Sequence, residues 1–376
     1  MHISRTSATV ALSLVAGLLG AQESDRVVVH GFLTQGAGIA RDRQLLGIGR
    51  DGTTDYRTAA LQVRGRLSED RSIVVQLSHK RVGTSVVNQA QDDVALNWAY
   101  FQQNIGNGYV RAGRFAMPRG IYNEIRPVGV LLPFYRAPYN LYTEGVEVID
   151  GVGAQQTINA ETRWPTQFSA YAGGWDFRQV SFNISDGRPT FVSQRVDRAV
   201  GGQVWQRFPI QGLRLGYGAQ LFSANPLPLS QDPGRATGWQ GQGSLDWTHR
   251  YVVVRAEATR FDSGTLRYDA WMAQLGLKPT EKLGVWFQTD NADYRSVIQV
   301  APTLRFPTGT IEFARTNSAS VNYAFTPQFV VRFEAHRNRG FNFDEFVPPV
   351  APGPTGLRPL PAATGMSYLA SVAVSF

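Results

Sequence analysis

Tyr368-Leu369-Ala370-Ser371-Val372-Ala373-Val374-Ser375-Phe376 is the stretch that decides the fold. Tyr368, Ala370, Val372, Val374 and Phe376 share one parity. Leu369, Ser371, Ala373 and Ser375 share the other, which is smaller and, apart from Leu369, more polar. Side chains of a strand point alternately to its two faces, so this pattern reads as a strand with one apolar and one polar face. The segment closes on an aromatic side chain.

The same dyad repeat recurs through the chain. Ala59, Leu61, Val63 and Leu67 oppose Thr58, Gln62, Arg64 and Arg66; Leu213, Leu215, Tyr217, Ala219 and Leu221 oppose Arg214, Gly216, Gly218 and Gln220. Val252, Val254, Ala256 and Ala258 oppose Arg255, Glu257 and Thr259, and Phe329, Val331, Phe333 and Ala335 oppose Arg332, Glu334 and His336. Runs near 239–247 and 271–278 repeat it. Each run is about 10 residues, the length a tilted strand needs to cross a hydrocarbon layer. Strands of this kind, with a terminal aromatic residue, resemble bacterial outer-membrane β-barrels, in which the last strand and its Phe, here Phe376, serve as the signal to the barrel assembly machinery.

The links between runs take turns in length. Short ones fall at 68–71, 106–108, 158–161, 208–212, 248–250, 279–282 and 326–328, rich in Gly, Asn, Asp and Pro as tight turns require. Longer ones fall near 41–53, 82–93, 116–144, 175–198, 224–237, 291–316 and 339–364, with a brief one near 262–265. This predicts an all-β transmembrane antiparallel β-barrel of about 16 strands, an even number with both chain ends on the short-turn side. Leu304–Phe306 and Ile311–Phe313 around Pro307-Thr308-Gly309 leave 18 as an alternative count, and a soluble β-sandwich or propeller is the competing class.

At the other end, His2 and Arg5 precede an apolar run from Ala8 to Leu19, with small residues at Gly20 and Ala21. This reads as a signal peptide over 1–21, ahead of a barrel over 22–376; a retained anchor helix is the alternative. The 376-residue chain has no Cys, 38 Gly, 11% aromatic residues and a net charge of +8. Of its 37 basic residues 34 are arginine, the exceptions being Lys80, Lys278 and Lys282. A basic balance points to anions as partners, while arginines scattered singly do not suit nucleic acid. No catalytic constellation emerges. Ser78 and His79 are adjacent and point to opposite faces, and the five His residues lack metal-ligand spacing. No cofactor or strong metal site is expected; Asp262, Asp290, Asp293 and Asp344 are at most weak divalent ligands.

The link near 116–144 is too apolar to remain solvated, since it carries Ile121, Tyr122, Ile125, Val128, Leu131, Leu132, Phe134 and Tyr135. Inside a wide barrel it would find cover on the inner wall. Its wording, Gly113-Arg114-Phe115 followed by Pro118, Gly120, Tyr122-Asn123-Glu124 and Arg126, resembles the phosphate-selective porin-like family over about 111–129. By position it is similar to the inward-folded third loop of trimeric porins. The resemblance implies an outer-membrane channel and a homotrimer; it carries the channel class and not the phosphate, because the extended basic run of a phosphate channel is not evident.

Arg114, Arg119, Arg126 and Arg136, with Glu124 and Tyr122, are the candidate constriction and anion contacts, because guanidinium stays charged and binds oxyanions in a planar fork. Pairing with Glu124, Glu144, Glu147 or Asp150 would instead make such an arginine a loop anchor. Arg64, Arg66, Arg111, Arg214, Arg255, Glu257, Arg332 and Glu334 fall on the polar parity and should face the lumen. Arg114 falls on the parity of Val110 and Ala112, so reaching the lumen would need a bulge. Two functions follow. One is a passive porin for small hydrophilic solutes, with a preference for anions. The other is a non-conducting structural or adhesive barrel whose outer loops, including the Pro-rich segment 347–361, bind a partner or lipid.

Overall fold

The structure is a computed structural model. It describes residues 26–376 except 90–92, 143–144, 183–188, 226–235, 264–265, 302–303, 308, 341–349, 354–355 and 360–361. The signal segment 1–21 lies outside the described residues, as do Glu144 and Asp344.

Sixteen strands among the described residues form one closed antiparallel barrel. They are β1 (Val27–Arg41), β2 (Thr53–Arg66), β3 (Arg71–Val82), β4 (Ala95–Ile105), β5 (Gly108–Ala116), β6 (Val148–Ile158), β7 (Thr166–Phe182) and β8 (Pro189–Arg207). They continue with β9 (Leu213–Ala224), β10 (Ala236–Thr248), β11 (Val252–Asp262), β12 (Leu266–Leu277), β13 (Leu283–Ala301), β14 (Ile311–Thr326), β15 (Phe329–Gly340) and β16 (Ala363–Ser375). Every strand pairs with its sequence neighbours. β16 closes the ring on β1 from Phe32 opposite Ser375 to Arg41 opposite Met366. Closure leaves no open sheet edge, which a backbone in lipid requires.

The closing seam explains the terminal aromatic residue. Gly31 and Phe376 exchange both backbone hydrogen bonds, each 3.0 Å. The Phe376 ring lies where a Cβ on Gly31 would stand, so only glycine admits it.

Burial is inverted relative to a water-soluble protein. Leu33, Val63, Val75, Val152, Val200, Tyr217, Leu275, Phe333 and Val372 are exposed on the outside. Gln76, Gln203, Gln220, Gln240, Gln242, Gln274, Ser318 and Ser320 are buried on the inside. An apolar exterior over a polar interior is what a bilayer selects. Aromatic side chains gather at the short-turn end: Trp164 with Phe208, Phe325 with Tyr323 and Phe329, and His249 with Trp247 and Tyr251. Such rings suit a membrane–water boundary.

Two of the expected long loops prove to be largely strand. β7 and β8 remain paired from Trp175 opposite Val196 out to Phe182 opposite Pro189, so 175–198 is a hairpin arm rather than a loop. β13 runs on to Ala301 and pairs directly with β14, while Leu304–Pro307 only folds back onto the end of β13, which settles the count of barrel strands at 16 rather than 18. In both arms the backbone pairing continues past the apolar belt, where the strict polar–apolar alternation ends. Within the Pro-rich segment, Val350–Gly353 pairs with Gly356–Pro359.

Candidate functional site

The third long connection spans 117–147, between Ala116 at the end of β5 and Val148 at the start of β6. It folds into the lumen. Met117, Ile121, Tyr122, Leu132, Phe134, Tyr135, Leu141 and Tyr142 are buried there. Ile121, Tyr122, Leu132, Ala137, Leu141 and Tyr142 pack with Trp205, Ala270, Met272 and Ala292 of the wall. Tyr135 joins a second cluster with Tyr56, Leu45, Ile48 and Leu369.

Polar contacts fix the loop at points distributed round the wall. Glu257 on β11 accepts from the Ile121 backbone N–H at 2.9 Å, from Ser244 at 2.7 Å and from the Tyr142 hydroxyl. Tyr122 donates to Gln274 at 2.5 Å and accepts from Arg255 at 2.9 Å. Arg332 donates to the Gly129 carbonyl at 2.5 Å, while Glu334 accepts from the Tyr135 N–H at 2.8 Å. Ser320 and Asn322 both donate to the Pro133 carbonyl at 2.8 Å. Asn140 donates to Asp290 at 2.5 Å, and its carbonyl accepts from Tyr268 at 2.7 Å. These bonds reach β11 to β15, and Gln203, Gln240 and Thr58 extend them to β8, β10 and β2.

Gly120 makes the first anchor possible. Its φ is +61°, and a side chain there would overlap the Gln242 amide and the Tyr142 hydroxyl. The loop backbone therefore approaches the β10–β11 wall as closely as only glycine allows.

The arginines expected at the constriction divide by what they touch. Arg119 is buried, 3.5 Å from the Gln240 amide oxygen and over the Tyr142 ring. Arg126 pairs with Glu147 at 3.1 Å and donates to the Tyr142 carbonyl at 2.6 Å. Arg136 donates to the Leu46 carbonyl at 3.5 Å and lies over the Tyr56 ring. All three make contacts that tie the loop to itself or to the wall. Arg114 is displaced from the expected place altogether: the register of β4, β5 and β6 runs through it without a bulge. It therefore keeps the outward parity of Val110 and Ala112, and binds Asp150 at 3.1 Å.

A smaller charged set faces the lumen on the barrel strands. Arg111 lies between the Tyr100 and Tyr109 rings at 4.8 and 4.1 Å, donates to Gln102 at 2.9 Å and stands 3.9 Å from Glu124. Arg214 and Arg255 share Asp246 at 2.8 and 3.2 Å. Arg64 and Arg66 share the lumen parity near the short-turn end, without a side-chain partner among the described residues. Glu124 is half-exposed to the lumen. Enclosure within the barrel, which keeps it from bulk water, raises its carboxyl above the ordinary 4.5, against the pull of Arg111 and Arg214. Asp246, Tyr109, Gln102 and Ser244 were not among the expected lumen residues; Asp246 lies on the polar parity of the run 239–247 and comes beside Arg214 and Arg255 only once the strands pair. Among the described residues no group of three or more His, Asp or Glu is placed to hold a metal ion.

Solved structures share the closed antiparallel barrel. The fold is that of outer-membrane porins. OmpF of Salmonella typhi, solved with daunomycin, aligns over 93% of this chain and 97% of its own, with a TM-score of 0.58 and 10% identity. The outer-membrane channel DcaP of Acinetobacter baumannii aligns over 93% and 97%, with a TM-score of 0.54 and 11% identity. The anion-selective porin from Comamonas acidovorans aligns over 93% and 99%, with a TM-score of 0.53 and 11% identity. No protein-family model and no curated protein matches the sequence.

Proposed function

We propose that the protein is a porin of the bacterial outer membrane, a narrow passive channel for small hydrophilic solutes with a preference for anions. The observation that carries this is the 117–147 connection, held inside the barrel and leaving Glu124 open to a lumen lined by Arg64, Arg66, Arg111 and Arg214. Against these arginines stand Glu124 and Asp246, so the lining keeps an excess of positive charge, which favours anions in a confined path. The anion-selective porin with the same fold supports this sign. Downhill diffusion through such a path needs no cofactor and no reaction. Trimer assembly, cleavage of 1–21 and recognition of Phe376 by the assembly machinery belong to the same proposal, by resemblance.

A second reading rests on the filling of the interior. Besides the two loop clusters, Val74, Tyr100, Phe115, Met117, Ile149, Tyr171, Trp175, Val196 and Phe222 form an apolar cluster across β3 to β9. A barrel so filled would serve as a non-conducting structural or adhesive module. Single-channel recording in a planar bilayer under a salt gradient separates the two. The proposal expects small stepwise currents with a reversal potential of anion sign. A cation-signed potential would refute the selectivity, and silence from a barrel shown folded by heat-dependent gel migration would establish the second reading.

A further inference from the structure

Above the apolar belt, at the long-loop rim, charged side chains stand on the outward parity in separate groups. On β5 to β8, Arg114 and Arg195 are matched by Asp150 and Asp176, with contacts of 3.1 and 2.8 Å. On β11 and β12, Arg260 pairs with Asp269 at 2.5 Å and Arg267 with Asp262 at 3.6 Å. On β2 and β3, Arg57 and Arg81 both reach Asp55. These groups are neutral or nearly so.

The group on β14, β15, β16 and β1 differs. Arg315 lies directly opposite Arg339, and Arg337 and Arg41 both lie opposite Met366 from its two sides. All four arginines are exposed. Among the described residues one carboxylate contacts them, Glu312, 3.3 Å from Arg339, and Asp42 follows Arg41 in the chain. At the β13 edge Asp293 and Arg295 add one charge of each sign, Asp293 accepting from the Asn291 amide at 3.2 Å and Arg295 donating to the Thr310 hydroxyl at 2.7 Å. Arg337 has no hydrogen-bonding or ionic partner among the described residues, and Arg315 reaches only the Asn291 amide, at 3.4 Å. Like charges placed directly across a strand pair destabilise it. Arg315 and Arg339 therefore stand in an arrangement that a bound anion would relieve.

The patch is also continuous with the apolar belt. Arg41 lies over the Tyr368 ring at 5.7 Å. Tyr368, Ile39 and Phe333 are exposed immediately below. Adjacent strands are about 4.8 Å apart, so the four guanidinium groups start from positions within about 10 to 15 Å of one another. An amphiphile with acyl chains on Phe333, Ile39 and Tyr368 would bring a phosphorylated headgroup to that height.

We propose that Arg41, Arg315, Arg337 and Arg339 form a binding site for the phosphate groups of an outer-leaflet lipid. Guanidinium forks suit phosphate oxygens, and the belt below supplies the chains' cover. The site is independent of the lumen, so it stands or falls apart from the channel.

The test uses the full-length protein in detergent, titrated with a bisphosphorylated lipid A and with the same lipid after removal of its phosphates. Bound lipid is counted by native mass spectrometry. The variant is Arg315→Gln/Arg337→Gln/Arg339→Gln, with Arg260→Gln/Arg267→Gln as the control from a neutral group. Heat-dependent gel migration confirms that each is folded. The expected result is binding of the phosphorylated lipid alone, weakened about tenfold in the triple variant and unchanged in the control. Equal binding by the triple variant, or equal binding of the dephosphorylated lipid, overturns the proposal. So does full competition by inorganic phosphate at equal concentration, which would make the site one for a free anion. Loss of oligomer in the triple variant with lipid binding intact would also overturn it, assigning the patch to contact between copies.

Discussion

Replacing Glu257 should release the lumen loop at its first anchor. The carboxylate accepts from the Ile121 N–H, the Ser244 hydroxyl and the Tyr142 hydroxyl, all buried donors. A hydrogen bond to a charged group contributes about 1.5–3 kcal/mol, and a buried donor left without a partner costs a similar amount. Glu257→Ala removes three acceptor contacts. Ile121 keeps the Tyr142 hydroxyl at 2.8 Å, and water can enter the vacated space, so the net loss is about 3 kcal/mol rather than the full sum. Glu257→Gln retains one acceptor oxygen and should lose about half as much. The chain has no Cys, so a single introduced thiol reports on the loop alone. Ala137 is buried in the cluster that the anchor holds, and Cys there changes little volume. A loss of about 3 kcal/mol raises the open population about a hundredfold. The labelling rate of Ala137→Cys by a soluble thiol reagent should therefore rise by about that factor in Glu257→Ala and about tenfold in Glu257→Gln. Single-channel traces should become larger and noisier in the same order. Equal labelling rates in all three proteins would refute the anchoring argument, because exposure of residue 137 would then not depend on this carboxylate.

Gly120→Ala should act at the same anchor by a different route, since the new Cβ meets Gln242 and Tyr142 at a φ of +61°; faster thiol labelling at 137 with the barrel still folded is the expected outcome. Gly31→Val should expel the Phe376 ring from the closing seam and cost about 1–3 kcal/mol, read as a lower temperature for the gel-mobility transition. Arg111→Gln/Arg214→Gln removes two lumen charges and should move the reversal potential toward cations; an unchanged potential would place the permeating ions elsewhere. The selectivity should also respond to pH through Glu124. Enclosure within the barrel raises its carboxyl above 4.5, so it gains a proton at a higher pH than an ordinary glutamate. Above that point its charge offsets Arg111, and below it the arginine acts alone. Anion preference should thus grow as pH falls, beginning above pH 4.5, and Glu124→Gln should flatten the dependence.

The barrel was legible because a period of two survives any change of neighbours. Leu213 to Leu221 announces its faces without reference to what it pairs with, and the seven tight turns carry their own Gly, Asn and Pro signals. The hairpin arm at 175–198 was not legible, and of the one at 291–316 only the short strand at Leu304–Phe306 was. Strand pairing there continues beyond the apolar belt, so the hydrophobic contrast that marks a strand in lipid disappears while the backbone ladder does not. The loop's inward fold could be read from its apolar content, yet not its attachments. Glu257, Arg332 and Glu334 read equally well as lumen charges and as anchors, because that choice depends on a contact with Ile121, Gly129 or Tyr135 more than 100 residues away. Arg114 shows the same logic in reverse. Its parity with Val110 and Ala112 was visible in the sequence, while its neighbourhood to a porin-like motif pointed inward. The continuous register through Ala99, Arg114 and Asp150 decides for parity. A motif reports what a segment resembles, whereas parity reports which way a side chain must point once the ladder is unbroken. The same rule places Arg315 and Arg339 on the outside, where the lipid-binding proposal takes its footing.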